Sequence, residues 1–105
     1  MKAAQIDRYG KISDVVVRDV PLPHLAAGQV LVKVQAAAIN PVDVLNVTGA
    51  VKLVQDYRMP LTLGNELIGT VEKVATNVGG FKPGDLVYGR LAVPSIGSFA
   101  EYVAV

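Results

Sequence analysis

The stretch GQVLVKVQAAAINPVD, residues 28–43, decides the fold because it joins a long strand to the start of a helix. Residues 29–39 are rich in β-branched and small apolar side chains and favour a strand. Alternate side chains share one face of a strand, so Lys33 and Gln35 fall on the polar side. The other side consists of Val30, Val32, Val34, Ala36 and Ala38. We expect this apolar side to line the core.

The same stretch predicts a short helix over residues 40–47. Asn40 can accept a hydrogen bond from an unpaired amide of the first turn, and Pro41 suits the first helical position because it has no amide to leave unpaired. Asp43 places a negative charge where the helix dipole favours it, and it can serve as the acid of a capping box. The Thr-Gly pair at residues 48–49 is a stop signal for the helix.

Short apolar segments separated by Gly and Pro turns fill the rest of the chain. They predict strands at residues 15–17, 67–74, 85–89 and 98–105. Many short strands with one helix favour a compact, mainly β barrel over a parallel α/β sheet. Gly69 and Gly89 lie inside predicted strands, where the absence of a side chain suits a bend or a close backbone approach. Ordinary bending is the simpler interpretation.

Composition excludes several classes of function. The 105 residues carry ten basic and nine acidic side chains, and no cluster of Lys or Arg suits a nucleic acid or an anionic membrane. The chain has no Cys and only one His, His24, so it lacks the side chains of a thiolate or imidazole metal site. Neither a signal peptide nor an uncharged run of roughly 20 residues is present. We expect one domain, a cytoplasmic location and small neutral ligands.

Four short segments, spread along the chain, are informative when they are taken together. They are residues 28–34 (GQVLVKV), 38–43 (AINPVD), 60–71 (PLTLGNELIGTV) and 81–89 (FKPGDLVYG). Together they resemble the amino-terminal GroES-like catalytic domain of the medium-chain dehydrogenase/reductase family. The resemblance implies a GroES-like, partly open β-barrel over residues 1–105, with one short helix after the long strand. No Gly-x-Gly-x-x-Gly turn is present, so we expect the Rossmann domain that binds the dinucleotide to be absent from this chain.

Two positions indicate which branch of the family this chain resembles. Zinc alcohol dehydrogenases of this superfamily have a Cys ligand at the start of the helix and a His ligand in a Gly-His-Glu motif. The matching positions here are Asn40 and Asn65, the latter within Gly64-Asn65-Glu66. A neutral carboxamide is a poor ligand for tetrahedral zinc. The chain therefore resembles the zinc-independent quinone oxidoreductase branch, and we expect no metal.

The resemblance implies hydride transfer from NADPH or NADH to a quinone or another α,β-unsaturated carbonyl compound. Asn40 and Asp43 are the candidate catalytic residues, and Asn40, Pro41, Asn65 and Glu66 are the candidate cofactor-binding residues. Simple helix capping is the alternative for Asn40, and a strand-entry turn is the alternative for Glu66. Asp43 fits a positioning role better than proton donation, because an exposed carboxylate is ionised at neutral pH.

One departure from the family bears on the acceptor. Many relatives have an aromatic residue two positions after the acid at the helix start, where this chain has Leu45. Tyr57, in the loop before residue 60, could take over a stacking role, although packing is the more ordinary role of a loop tyrosine. Leu45 therefore weakens any expectation of stacking on a quinone.

An alternative function stays open from the sequence. A GroES-like β-barrel can also be a stand-alone binding or scaffold module without catalysis, since one fold does not fix one function. Such a module would form a homo-oligomer through an apolar face. If the enzymatic interpretation is right, the isolated chain is expected to be inactive until it is completed by a Rossmann domain.

Overall fold

The computed structural model describes all residues 1–105 as seven strands, one α-helix and two short 3-10 turns. The strands are β1 (Lys2–Ile6), β2 (Val16–Asp19), β3 (Val30–Ala36), β4 (Leu61–Thr62), β5 (Glu66–Val74), β6 (Leu86–Arg90) and β7 (Tyr102–Ala104). The helix α1 (Pro41–Thr48) follows β3, and the 3-10 turns are Ile12–Asp14 and Val93–Ser95. α1 is too short to cross a membrane, and no other helix is long enough.

The strands form two antiparallel sheets. The first has the order β2-β1-β4 and the second has the order β6-β5-β3-β7. They meet where Ala3 bridges Ala100 and where the amide of Ala4 donates to the carbonyl of Phe99 at 2.8 Å. Neither sheet closes on itself. The predicted mainly β, partly open barrel with one short helix after the long strand is confirmed.

The core has two parts, one on each sheet. The larger part covers the four-stranded sheet and contains Val30, Val32, Leu67, Val71, Leu91 and Val103. The smaller part lies beneath α1, where Val47 packs with Ile6, Leu61 and Leu63. Full burial of one such aliphatic side chain contributes about 1.5–3 kcal/mol. Val47 is 2% exposed, so it holds the helix against the three-stranded sheet.

The long strand is shorter than the alternation of side chains predicts. β3 ends at Ala36, and its pairing with β5 shifts register between Val34 and Ala36. Val30 and Val32 are buried as expected, but Ala36 and Ala38 are exposed. The prediction that they line the core was wrong, because the register shift ends the alternation and the chain then leaves the sheet for α1.

Two strands were not predicted. β1 has the sequence KAAQI, whose Ala and Gln residues have little intrinsic preference for strands. β4 contains only Leu61 and Thr62 and pairs with Gln5 and Ile6 of β1. Both form because their neighbours in the sheet and the core below them stabilise short segments with a weak local signal.

Gly69 is required by a close approach between strands rather than by a bend. It pairs with Val34 of β3, and a Cβ atom built at Gly69 would overlap the carbonyl oxygen of Lys33 and lie 2.7 Å from Cγ1 of Val32. A Cβ atom at Gly89 of β6 would meet nothing within 4 Å. The backbone of β3 therefore occupies the space that a side chain at Gly69 would need.

We predict that Gly69→Ala lowers the free energy of unfolding by about 1–3 kcal/mol, because two paired backbones must separate to admit the methyl group. Gly89→Ala is the matched control, and it should change stability by no more than about 0.5 kcal/mol. Urea denaturation followed by circular dichroism measures both variants. Equal losses of stability in the two variants would contradict the close approach.

Candidate functional site

The start of α1 is a turn held by hydrogen bonds between Asn40 and Asp43. The Asn40 backbone is extended (φ −120°, ψ 160°), as is usual for the residue before a helix, and exposed Pro41 occupies the first helical position. The Asn40 amide donates to Oδ2 of Asp43 at 2.7 Å, and the Asp43 amide donates to the Asn40 carbonyl at 2.9 Å. The capping role predicted for Asp43 is thereby confirmed. The Asn40 side chain faces the Asp43 amide without a full cap hydrogen bond.

This turn is more deeply buried than the sequence indicated. Asp43 is 4% exposed, so the expectation of an exposed carboxylate was wrong: the face of α1 that carries Asp43 packs inward. Nδ2 of Asn40 and Oδ1 of Asp43 are buried without a hydrogen-bond partner. Each such group costs about 1–3 kcal/mol. A donor and an acceptor left unpaired at one turn can bind a polar ligand that offers the opposite groups.

Asn65 lies directly before β5 on a backbone fixed from two sides. Gly64 has φ +107°, and a Cβ atom there would overlap Oγ of Ser98 and lie 2.6 Å from the Phe99 nitrogen, so only glycine fits. The Gly64 carbonyl accepts from the Ser98 amide at 3.1 Å, and the Asn65 carbonyl accepts from the Leu91 amide at 2.6 Å. Asn65 is 4% exposed. Little freedom remains there except rotation of its side chain.

Asn46 connects α1 to Asn65 and was not foreseen as a site residue. It is 2% exposed, and its Nδ2 donates to Oδ1 of Asn65 at 3.4 Å. The sequence held one usable signal: positions 43 and 46 are three residues apart and share one side of a helix. Asn40 and Asp43 are thus joined directly, and Asn46 brings Asn65 to the same helix.

Glu66 stands apart from this group. It is half-buried at the first position of β5 and pairs in register with Arg90 of β6. No hydrogen bond or ion pair joins its carboxylate to Asn40, Asp43 or Asn65. The geometry at Glu66 is that of a strand entry, which is the alternative that the sequence left open.

The other end of α1 is held by two tyrosines. Gly49 ends the helix in the left-handed conformation (φ 78°), and the ring of Tyr9 lies against it. The Tyr9 hydroxyl donates to Asp56 at 2.9 Å and accepts from the Tyr57 amide at 2.8 Å, while the Tyr57 hydroxyl donates to the Val93 carbonyl at 2.7 Å. Burial raises the pKa of both phenols above the ordinary value. Tyr57 therefore packs and donates here, which is the more ordinary role that the sequence left open.

The donor set does not suit zinc. Oδ1 of Asn65 is engaged by Asn46, and the unpaired atom of Asn40 is an amide nitrogen, which is a donor and a poor ligand. His24 is exposed in the connector before β3. No group of three or more His, Cys, Asp or Glu side chains could hold a metal ion.

Comparison with known proteins gives relatives that are longer than this chain. It is 38% identical to the 2-methylene-furan-3-one reductase of Solanum lycopersicum, over all of this chain and 29% of that protein. It is 36% identical to the chloroplastic NADPH-dependent alkenal/one oxidoreductase of Arabidopsis thaliana, again over all of this chain and 29% of that protein. The chain thus spans less than a third of the length of these two relatives.

The fold and the family follow from two further matches. The structure of the quinone oxidoreductase from Coxiella burnetii superposes with a TM-score of 0.87 and 34% identity, over 99% of this chain and 34% of that one. Residues 26–105 match the family described as the alcohol dehydrogenase GroES-like domain. Because that match covers most of the residues of this chain, the chain belongs to the alcohol dehydrogenase GroES-like domain family.

Proposed function

We propose that this chain forms the substrate side of a zinc-independent, NAD(P)H-dependent reductase of quinones or enones. The observation that carries the proposal is the pair of buried, unpaired atoms at the start of α1, Nδ2 of Asn40 and Oδ1 of Asp43. The names of the relatives support the class of reaction, because they describe an enone reductase, an alkenal/one oxidoreductase and a quinone oxidoreductase. A dinucleotide-binding Rossmann domain would complete the enzyme.

The two unpaired atoms are complementary to a carboxamide. Both atoms are enclosed in the free chain, so the turn must shift to expose them. Once it does, Nδ2 of Asn40 can donate to the carboxamide oxygen of a nicotinamide, and Oδ1 of Asp43 can accept from the nicotinamide nitrogen. Pro41 stiffens the turn between them because its ring fixes φ. When bound, NADPH or NADH supplies the hydride. The carboxamide of nicotinamide thus offers an acceptor for Nδ2 of Asn40 and a donor for Oδ1 of Asp43.

The acceptor side of the proposed site lies at the turn before β5. As the acceptor gains a hydride, one electron pair moves onto its carbonyl oxygen, and that oxygen later takes a proton from solvent. Amide donors in a dry cleft stabilise the developing negative charge. We assign this donor role to Asn65, and Asn40 is the second candidate. Asp43 acts as a positioning residue because its Oδ2 holds the Asn40 amide at 2.7 Å.

The cofactor preference and the location remain proposals. The name of the Arabidopsis relative favours NADPH over NADH, although the pocket for the adenosine phosphate belongs to the proposed Rossmann domain. The isolated chain should therefore bind the nicotinamide end weakly and should not turn over. Cytoplasmic location stays a prediction, and the Arabidopsis relative is named as chloroplastic.

Binding of a nicotinamide at the start of α1 can be tested with reduced nicotinamide mononucleotide, which lacks the adenosine half of the cofactor. Added to the ¹⁵N-labelled chain, it should shift the backbone amide signals of residues 42–43 and 64–66 and the side-chain amide of Asn40. Adenosine monophosphate should shift none of these signals. Asn40→Asp is the matched variant, because Asp caps a helix as well as Asn but lacks the amide donor. We expect it to weaken binding about tenfold.

The same titration separates the two functions that the sequence left open. Shifts confined to another face, or no shift at all, would overturn the proposed site. Self-association of the labelled chain under those conditions, seen as slower tumbling, would then favour a scaffold module.

The positioning role of Asp43 predicts a graded effect on stability. Asp43→Ala removes the acceptor of the Asn40 amide and should lower the free energy of unfolding by about 0.5–2 kcal/mol. Asp43→Asn keeps an oxygen at that place and should lose less than half as much. Urea denaturation measures both variants at pH 7. If both variants lose the same amount, the hydrogen bond to the Asn40 amide does not position the turn.

A further inference from the structure

Asn46 is a buried polar residue that the proposed cofactor site does not use. It lies one turn after Asp43 on the inward side of α1, and Val47 beside it is a core residue. A leucine would fill this place without the cost of burying a carboxamide. Its contact with Asn65 is the only hydrogen bond between two fully buried side chains in the chain. Asn46 therefore serves some purpose other than packing.

That contact decides how the Asn65 carboxamide is oriented. A carboxamide has one accepting end and one donating end, and a half-turn about its last bond exchanges them. In the structure the end of Asn46 that faces Asn65 is Nδ2, a donor, and the end of Asn65 that faces it is Oδ1. Nδ2 of Asn65 then points away from α1. This nitrogen has no hydrogen-bond partner within the chain, so it is the donor that Asn65 can offer to a ligand.

The backbone of Asn65 makes this choice of orientation decisive. Its carbonyl is held by the Leu91 amide at 2.6 Å, and Gly64 before it is locked against Ser98. Side-chain rotation is therefore the freedom that remains. At 3.4 Å the contact from Asn46 is long for a hydrogen bond. Its effect is to select one of two orientations rather than to add much stability.

We propose that Asn46 is a positioning residue, which holds the Asn65 carboxamide with its N–H groups facing the carbonyl oxygen of the acceptor. The inference rests on the proposed function and assigns the acceptor as a carbonyl compound, an enone or a quinone. The opposite orientation would place an amide oxygen against an oxygen that is gaining negative charge. The selected orientation offers a donor, and hydrogen bonds to a charged oxygen are the stronger ones.

Cyclohex-2-enone is a suitable probe for this test. It has the conjugated carbonyl of the proposed acceptor class, and the chain contains no Cys whose thiol could add to it. In the unaltered chain, the probe should shift the side-chain amide signals of Asn65 and leave those of Asn46 in place. The reverse pattern would overturn the inference without any variant.

Two variants of Asn46 test its role directly. Asn46→Leu keeps the branched shape of the side chain and removes the donor, and we expect it to weaken binding of cyclohex-2-enone about three- to tenfold. Asn46→Asp presents an acceptor, so Asn65 should turn its nitrogen inward, and binding should fall at least as far. Gln35→Leu, which removes an exposed amide on β3, is the control and should bind the probe as the unaltered chain does. Thermal unfolding selects the variants that are folded.

A nicotinamide probe distinguishes a positioning role of Asn46 from a role in supporting the fold alone. In Asn46→Leu, reduced nicotinamide mononucleotide should still shift residues 42–43 with unchanged affinity. If the variant no longer bound either cyclohex-2-enone or reduced nicotinamide mononucleotide, Asn46 would only support the fold. Unchanged affinity for cyclohex-2-enone in a folded Asn46→Leu variant would overturn the role of Asn46 while leaving the proposed function intact. If neither probe binds the unaltered chain near α1, the proposed function itself fails.

Discussion

The close antiparallel pairing of β3 with β5 is the constraint on which the site depends. Ala36, at the end of β3, pairs with Ile68, near the start of β5. In an antiparallel pair the residues after one strand and the residues before the other emerge at the same edge. The helix start that follows β3 and the Asn65 turn that precedes β5 are thereby brought together. Gly69 permits this pairing, because a side chain there would occupy the space of the β3 backbone.

Buried polar side chains of α1 lower the stability of the fold at this edge. The inward side of α1 carries Asp43 and Asn46 beside Val47, so two polar groups share a buried face with one aliphatic side chain. Val47 attaches the helix to the smaller core, whereas Oδ1 of Asp43 remains unpaired. An apolar side chain at position 46 would suit the fold better. Buried polar side chains that lower the stability of the fold are expected at functional sites, where a ligand can provide the missing hydrogen-bond partners.

Local patterns predicted the fold well where the signal lies in neighbouring residues. Asn40, Pro41 and Asp43 marked the helix start, and the alternation around Val32 marked the long strand, because caps and strand faces depend on short spacings. The predictions failed where distant contacts decide. β1 forms from KAAQI because β2 and β4 pair with it, and Ala36 is exposed because β3 loses its regular register there. The burial of Asp43 likewise depends on what packs against α1.

The arrangement of the candidate site was predicted in part for the same reason. Asn40, Asp43 and Asn65 were identified through resemblance to a family, but Asn46 has no counterpart in the motifs that carried the resemblance. Its contact with Asn65 joins residues far apart in the sequence and depends on the β3–β5 pairing. The spacing of positions 43 and 46 indicated a shared helix side, but it could not show that this side was buried.

Neutral amides have a consequence for the chemistry that this edge can support. A carboxamide does not titrate in the physiological range, so its hydrogen-bonding direction is set by its neighbours and not by pH. In the proposed site, the amides of Asn40 and Asn65 would therefore hold a nicotinamide and a carbonyl oxygen in orientations that do not change with pH. They supply no exchangeable acid, so the proton that completes a reduction must come from solvent. Such a site suits the reduction of a conjugated carbonyl, because the charge that follows the hydride is spread over the acceptor and does not require an acid at the moment of transfer.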